Sequence, residues 1–126
     1  MIFDSDVMIW AFRGNLLALK AIDEADTRAI SSVTYMELLQ GVRNKGEMRE
    51  MKRFLSKLSF STLPITANIS NRAMAILEET ALKSNLGVCD ALIFATACET
   101  GETLLSGNKK HFKEVTLLNA IEFKSE

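Results

Sequence analysis

Short apolar runs alternate with longer amphipathic stretches along the whole chain. The runs cover residues 1–3, 29–33, 60–65, 103–106 and 115–118, and each has strand length. Helical spacing fills the intervals. Residues 16–25 form one helical pattern, and residues 35–42 form a second with Thr34 as a candidate N-cap. Residues 47–58 place Met48, Met51, Leu55 and Leu58 on one face. Residues 67–84 follow Thr66 and carry Ile69, Ala73, Ile76 and Leu77 at the same period. Residues 91–99 are almost entirely apolar, and Gly101 is their natural C-terminal stop.

Strands alternating with helices predict an α/β protein with a mainly parallel sheet covered on both faces. No linker, repeat or low-complexity stretch divides the chain, so residues 1–126 are expected to form a single domain. Ligands of such sheets bind outside the carboxyl ends of the strands. Asp4, at the end of the first run, falls on that rim.

Composition narrows the chemistry. Hydrophobic residues are 48% and charged residues 25%, an ordinary balance for a soluble globular protein. No apolar run approaches the roughly 18 residues that cross a bilayer, and no basic segment leads into a long apolar one. Neither a membrane span nor a secretory signal is expected. Cys89 and Cys98 sit in apolar sequence and read as reduced thiols of a cytoplasmic protein. His111 is the single histidine, too few for a zinc site of His and Cys. Any metal should be a hard cation held by oxygen. A net charge of −1 argues against a general nucleic-acid coat but leaves room for a local basic face.

Four positions are candidates for one oxygen-lined site: Asp4, Glu37, Asp90 and Asn108. Each follows a strand or opens a helix. Each also has a purely structural reading. Glu37 stands three residues after Thr34, as in a capping box. Asp90 fits an N-cap or a first-turn acid. Asp4 and Asp6 could close a turn, and Asn108 after Gly107 is a turn residue by type. Taken together, acids gathered at one sheet edge would repel one another, and a divalent cation would relieve that cost.

These segments resemble the PIN-domain nucleases, and among them the VapC-type toxins of toxin–antitoxin pairs. IFDSDVMIW is similar to the family's opening, an apolar strand ending in Asp, then a hydroxyl residue, then Asn or Asp. SSVTYMELLQGV, VCDALIFATA and TLLSGNKKHF resemble its later motifs, with Glu37 and Asp90 at the acidic positions of the first two. The resemblance implies a three-layer α/β/α sandwich and a Mg²⁺- or Mn²⁺-dependent endoribonuclease. It also implies a homodimer and a cognate antitoxin that inhibits it. Asp4 and Asp90 would be the main metal ligands, and Glu37 would position or deprotonate the attacking water. Ser5, Asp6 and Ser106 would support them from behind. Asn108 departs from the family, where many relatives carry Asp, and its missing charge would weaken a second ion.

Lys109, Lys110 and Lys113 adjoin the proposed acids and are candidate RNA phosphate contacts. His111 reads as a phosphate or surface residue. Arg49, Lys52, Arg53 and Lys57 form a second basic row that reads first as a solvated helix face. Trp10 and Phe12 read as core or dimer contacts. Two other functions compete. One is a degenerate PIN domain that binds RNA or a partner without cutting, a reading to which Asn108 lends weight. The other is a haloacid-dehalogenase-type phosphatase, because D-S-D and LLSGN imitate two of its motifs. That signature expects Thr or Val where Met8 stands, and a late acidic pair, yet no Asp follows Asp90.

Overall fold

The computed structural model describes residues 1–126. Five strands, β1 (Ile2–Phe3), β2 (Ala29–Ser31), β3 (Ser61–Leu63), β4 (Leu104–Ser106) and β5 (Ala120–Glu122), form one sheet in the order β3-β2-β1-β4-β5. Every neighbouring pair is parallel. Seven helices complete the chain: α1 (Ser5–Phe12), α2 (Leu16–Glu24), α3 (Ser32–Gln40), α4 (Lys45–Lys57), α5 (Ala67–Thr80), α6 (Val88–Thr100) and α7 (Lys109–Phe112).

The strands' period of two divides the core. Ile2 and Leu104 point into a cluster with Ile69, Ala73, Ile93 and Phe94 of α5 and α6. Phe3, Ile30 and Leu105 point to the opposite face, against Val7, Met8, Ile22, Met51 and Leu55 of α1, α2 and α4. The result is a three-layer α/β/α sandwich whose central strands are apolar on both faces, as buried parallel strands must be.

Local differences from the sequence pattern have identifiable causes. The segment after the acids is a helix, α1, although its near-continuous apolar run shows no one-sided period. Asp4 caps it, accepting from the Ser5 N–H. Val7, Met8 and Ala11 are buried, while Ile9 and Trp10 stay exposed. Helix α3 starts under a Ser31 cap instead of Thr34. The expected strand 29–33 therefore stops at Ser31, and Thr34 is buried inside the helix. Thr66 caps α5 and Gly101 ends α6 in the left-handed region (φ 71°), both as the sequence predicts. The last strand lies at Ala120–Glu122, beyond the expected 115–118. Val115 and Leu118 are apolar because their turn packs onto the core.

The chain steps from β1 through β2 to β3 on one side, then crosses to β4 and β5 on the other. The strand order reverses between β1 and β4, which is where open α/β sheets leave a crevice. Asp4 follows β1 and Ser106 closes β4 at that point. No helix is long and apolar enough to cross a membrane.

Candidate functional site

The pairing of Phe3 with Leu105 sets the centre of the crevice. The Asp4 N–H donates to the Leu105 carbonyl at 2.9 Å, which fixes the backbone. Its carboxylate is then held at both oxygens. Oδ1 accepts from the Ser5 N–H at 2.7 Å, and Oδ2 accepts from the Ser106 hydroxyl at 2.6 Å. Asp4 is only 5% exposed and Ser106 is fully buried.

Asp6, at the start of the following helix, accepts from the Val7 N–H at 2.7 Å and from the Gly107 N–H at 2.9 Å. It thus ties the start of α1 to the loop after β4. A β-carbon on Gly107 would lie 2.6 Å from Asp6 Oδ2, so only glycine allows this approach.

Glu37 is brought in from α3. With Ser31 as the helix cap, a capping box between Thr34 and Glu37 does not form. Instead the Ser5 hydroxyl donates to Glu37 Oε1 at 2.6 Å and stands 3.0 Å from Thr34 Oγ1. Asp90 lies in the first turn of α6, and Gly87 holds the cap position, so the N-cap reading of Asp90 is also set aside. Asn108 comes from the loop after β4. Its N–H donates to Ser106 Oγ at 3.0 Å, and its Nδ2 stands 3.4 Å from Asp90 Oδ2.

Asp4, Ser5, Asp6, Glu37, Asp90 and Asn108 therefore line one cleft of about 450 Å³. Ser106 supports it from below. Thr34 and Gly107 also belong to this framework. Neither stands out in the sequence, where Thr34 has the character of a cap and a lone glycine before Asn looks like any turn. His111, expected near the surface, has a side chain only 14% exposed and meets Asn108 and Asp90. Lys109, Lys110 and Lys113 are exposed on α7 and its end, next to Asn108. The α4 row of Arg49, Lys52, Arg53 and Lys57 is exposed and none of it lines the cleft. Phe12 packs edge-on against Phe54 with ring centres 5.6 Å apart, whereas Trp10 is 42% exposed and not a core residue.

Two of the acids, Asp4 and Asp6, are strained electrostatically. Burial, then the neighbouring Asp6, pushes the Asp4 carboxyl from 3.8 up to about 7. Asp90 adds to the rise, and the Ser106 and Ser5 hydrogen bonds oppose it. Burial also raises Asp6, against the hydrogen bonds from Val7 and Gly107, with Asp90 adding to the rise. Cys89 lies beside this field. The residue is exposed, yet slight desolvation, then Glu37 and Asp90, raise its thiol, which keeps it protonated.

The donor set is all oxygen, and its one buried carboxylate, Asp4, favours neutralisation. Such a set suits a hard divalent cation. No three His, Cys, Asp or Glu side chains close up into a ready chelate. Mg²⁺ needs no such closed chelate, since it keeps several waters and uses one or two carboxylates. A second, adjoining groove of about 520 Å³ shares Ile9 and Glu37 with the cleft and adds Leu38, Val42, Met51 and Arg43.

Known structures share this architecture. A toxin–antitoxin complex from Klebsiella pneumoniae contains a chain 28% identical to this one, with a TM-score of 0.76 over 97% of this chain and 98% of that one. VapBC2 from Rickettsia felis, bound to a DNA fragment from its promoter, shares the fold at 23% identity and a TM-score of 0.82, covering 98% and 100%. VapBC-1 from nontypeable Haemophilus influenzae shares it at 19% identity and 0.82, covering 97% and 98%. No curated protein matches the chain in sequence. The PIN domain model matches residues 1–117, a span that includes every residue of the cleft, and the chain belongs to the PIN-domain family.

Proposed function

We propose that residues 1–126 act as one metal-dependent endoribonuclease domain, the toxin of a toxin–antitoxin pair that works in the cytoplasm. One observation carries this reading. Asp4, Glu37, Asp90 and Asn108 come from four distant segments and line the same cleft, where Asp4 is pushed to about 7. Capping a helix gives no reason to bury Asp4 where Asp6 and Asp90 both raise the cost of its charge.

In this reading Asp4 and Asp90 would hold Mg²⁺ or Mn²⁺, with Asn108 as a neutral neighbour that would weaken any second ion. The ion, when bound, supplies Lewis acidity to the phosphodiester and to the attacking water. The protein's own residues do the rest. Ser106 and the Ser5 N–H keep Asp4 in one orientation. Ser5 ties Glu37 Oε1, which leaves Oε2 to orient the water and take its proton as the water oxygen attacks phosphorus; the P–O ester bond breaks and the departing ribose oxygen takes a proton from solvent. Lys109, Lys110 and Lys113 contact flanking phosphates.

The similar chains in toxin–antitoxin complexes support an antitoxin partner here. The groove beside Glu37 offers it apolar contacts, and an antitoxin arginine reaching the cleft would pair the carboxylates through a bidentate fork. A homodimer completes the proposed assembly.

The test is incubation with RNA and Mg²⁺ or Mn²⁺, with and without EDTA, beside Asp4→Asn and Asp90→Asn. Metal-dependent cleavage that fails with EDTA and in both variants is the expected result. Neutral Asn108 favours a second reading, a domain that binds RNA without cutting, and binding with no cleavage under any metal would establish it. Turnover of a phosphate monoester instead would point to the phosphatase. Replacing the three lysines by alanine should lower the salt dependence of RNA binding by about 0.7 in log–log slope for each phosphate they neutralise.

A further inference from the structure

From Asp90 and Asn108 the cleft continues into two polar side chains that the proposed reaction does not use, His111 and Asn85. His111 Nε2 lies 3.0 Å from Asn85 Oδ1, and His111 Nδ1 lies 3.0 Å from Asn108 Nδ2. The same Asn108 Nδ2 lies 3.4 Å from Asp90 Oδ2, while His111 Nδ1 is 3.6 Å from that oxygen, beyond hydrogen-bond reach.

Two polarities of this chain are conceivable, and Asp90 decides between them. If the Asn108 amide were turned over, its carbonyl oxygen would face a carboxylate, two acceptors with no proton between them. With the nitrogen facing Asp90, its two N–H groups serve both neighbours, one donating to Asp90 and one to His111 Nδ1. His111 must then accept at Nδ1, so its proton sits on Nε2 and donates to Asn85 Oδ1. Every atom in the row has a matching partner in this arrangement alone. Asn108 Oδ1 is left as the amide atom free to meet a ligand in the cleft.

We infer that Asn85 and His111 are positioning residues that fix the Asn108 amide, so that position 108 gives Asp90 a neutral donor and offers the cleft a carbonyl oxygen. The inference rests on the metal-site reading for its effect on binding, but not for its geometry. An Asp at 108 would turn the same row into facing acceptors. Asn108 and His111 are therefore chemically matched, and the departure from the family's usual acid is a built feature.

The single histidine makes the geometry directly readable. A long-range proton–nitrogen correlation spectrum of the wild-type protein, recorded without metal near pH 8, should show Nε2 protonated and Nδ1 bare. A proton on Nδ1, alone, shared or as a doubly protonated ring, overturns the inference. The effect is read by calorimetric titration with Mn²⁺. His111→Asn keeps an acceptor near the Nδ1 position, and His111→Gln moves it to the Nε2 position. Mn²⁺ should bind about 10-fold more weakly to His111→Gln and within about threefold of wild type to His111→Asn. Equal loss in the two variants, or no loss in His111→Gln, overturns it. A wild type that neither binds Mn²⁺ nor cuts RNA refutes the nuclease reading instead, and the spectrum still decides the polarity of the row.

Discussion

The Ser106 hydroxyl donates to Asp4 Oδ2 at 2.6 Å, a buried contact across 102 positions of sequence. It exists because β1 and β4 pair in register and end side by side. Its charge effect is to hold the Asp4 carboxyl down against burial and Asp6. Ser106→Ala removes that bond, so the carboxyl rises further and fewer molecules carry the anion at neutral pH. RNA cleavage should fall about 10-fold near pH 7 and recover as the pH is raised, with the acidic limb of the kcat/KM profile displaced upward. A profile that drops uniformly at every pH would mean that Ser106 acts only through packing.

Asp4 also sets how the metal-free protein responds to pH. Its folded value, about 7, lies above the ordinary 3.8, so the folded protein holds a proton that the unfolded chain releases. The stability this provides is complete below about pH 4 and is lost as the pH rises through about 7. Moving a carboxyl that far corresponds to roughly 4 kcal/mol, damped because the other acids readjust. Asp4→Asn should therefore melt above the wild type at pH 8 in EDTA, with the gap closing on acidification. Equal melting temperatures at pH 8 would show that Asp4 carries no electrostatic burden.

Gly107 and Asp6 form a coupled pair. The glycine N–H donates to Asp6 Oδ2, and a methyl group on Gly107 would overlap the same oxygen at 2.6 Å. Gly107→Ala should cost about 1–3 kcal/mol in chemical denaturation by displacing that carboxylate. In an Asp6→Ala background the same change meets no carboxylate and should cost much less. The double-mutant cycle is the measurement, and additive losses would place the strain elsewhere.

How much of this was legible in the sequence depends on which force decides each element. The alternation of apolar runs and helical periods revealed the parallel sheet, because burial on both faces leaves that pattern. The rim positions of Asp4, Glu37, Asp90 and Asn108 followed from the sheet. Helix α1 was not legible, since its capping acid and buried residues lie in a nearly unbroken apolar stretch. The Ser31 cap was hidden by Thr34, an equally good capping residue one turn later. Strand β5 was hidden by Val115 and Leu118, whose apolar character serves a packed turn. The contacts of Ser5 with Glu37 and of Asp6 with Gly107 join residues 32 and 101 positions apart, and local sequence carries no record of them.

Metal binding should be linked to proton release, because the ion requires the Asp4 anion. Near pH 7 a carboxyl titrating at about 7 is close to half protonated. Titrating Mn²⁺ into the wild type at that pH should therefore release about half a proton per ion, seen as a dependence of the heat on the buffer's ionisation enthalpy. Near pH 9 the release should vanish, because Asp4 is already ionised, and affinity should be higher there than at pH 6. Mn²⁺ at about 100 times its Kd should also stabilise the folded protein by roughly 2.7 kcal/mol. In Asp90→Asn, whatever weaker binding remains should still release the proton from Asp4, whereas Asp4→Asn should release none. Release that persists in Asp4→Asn would assign the titrating group to another acid of the cleft, with Asp6, itself raised by burial, the next to test.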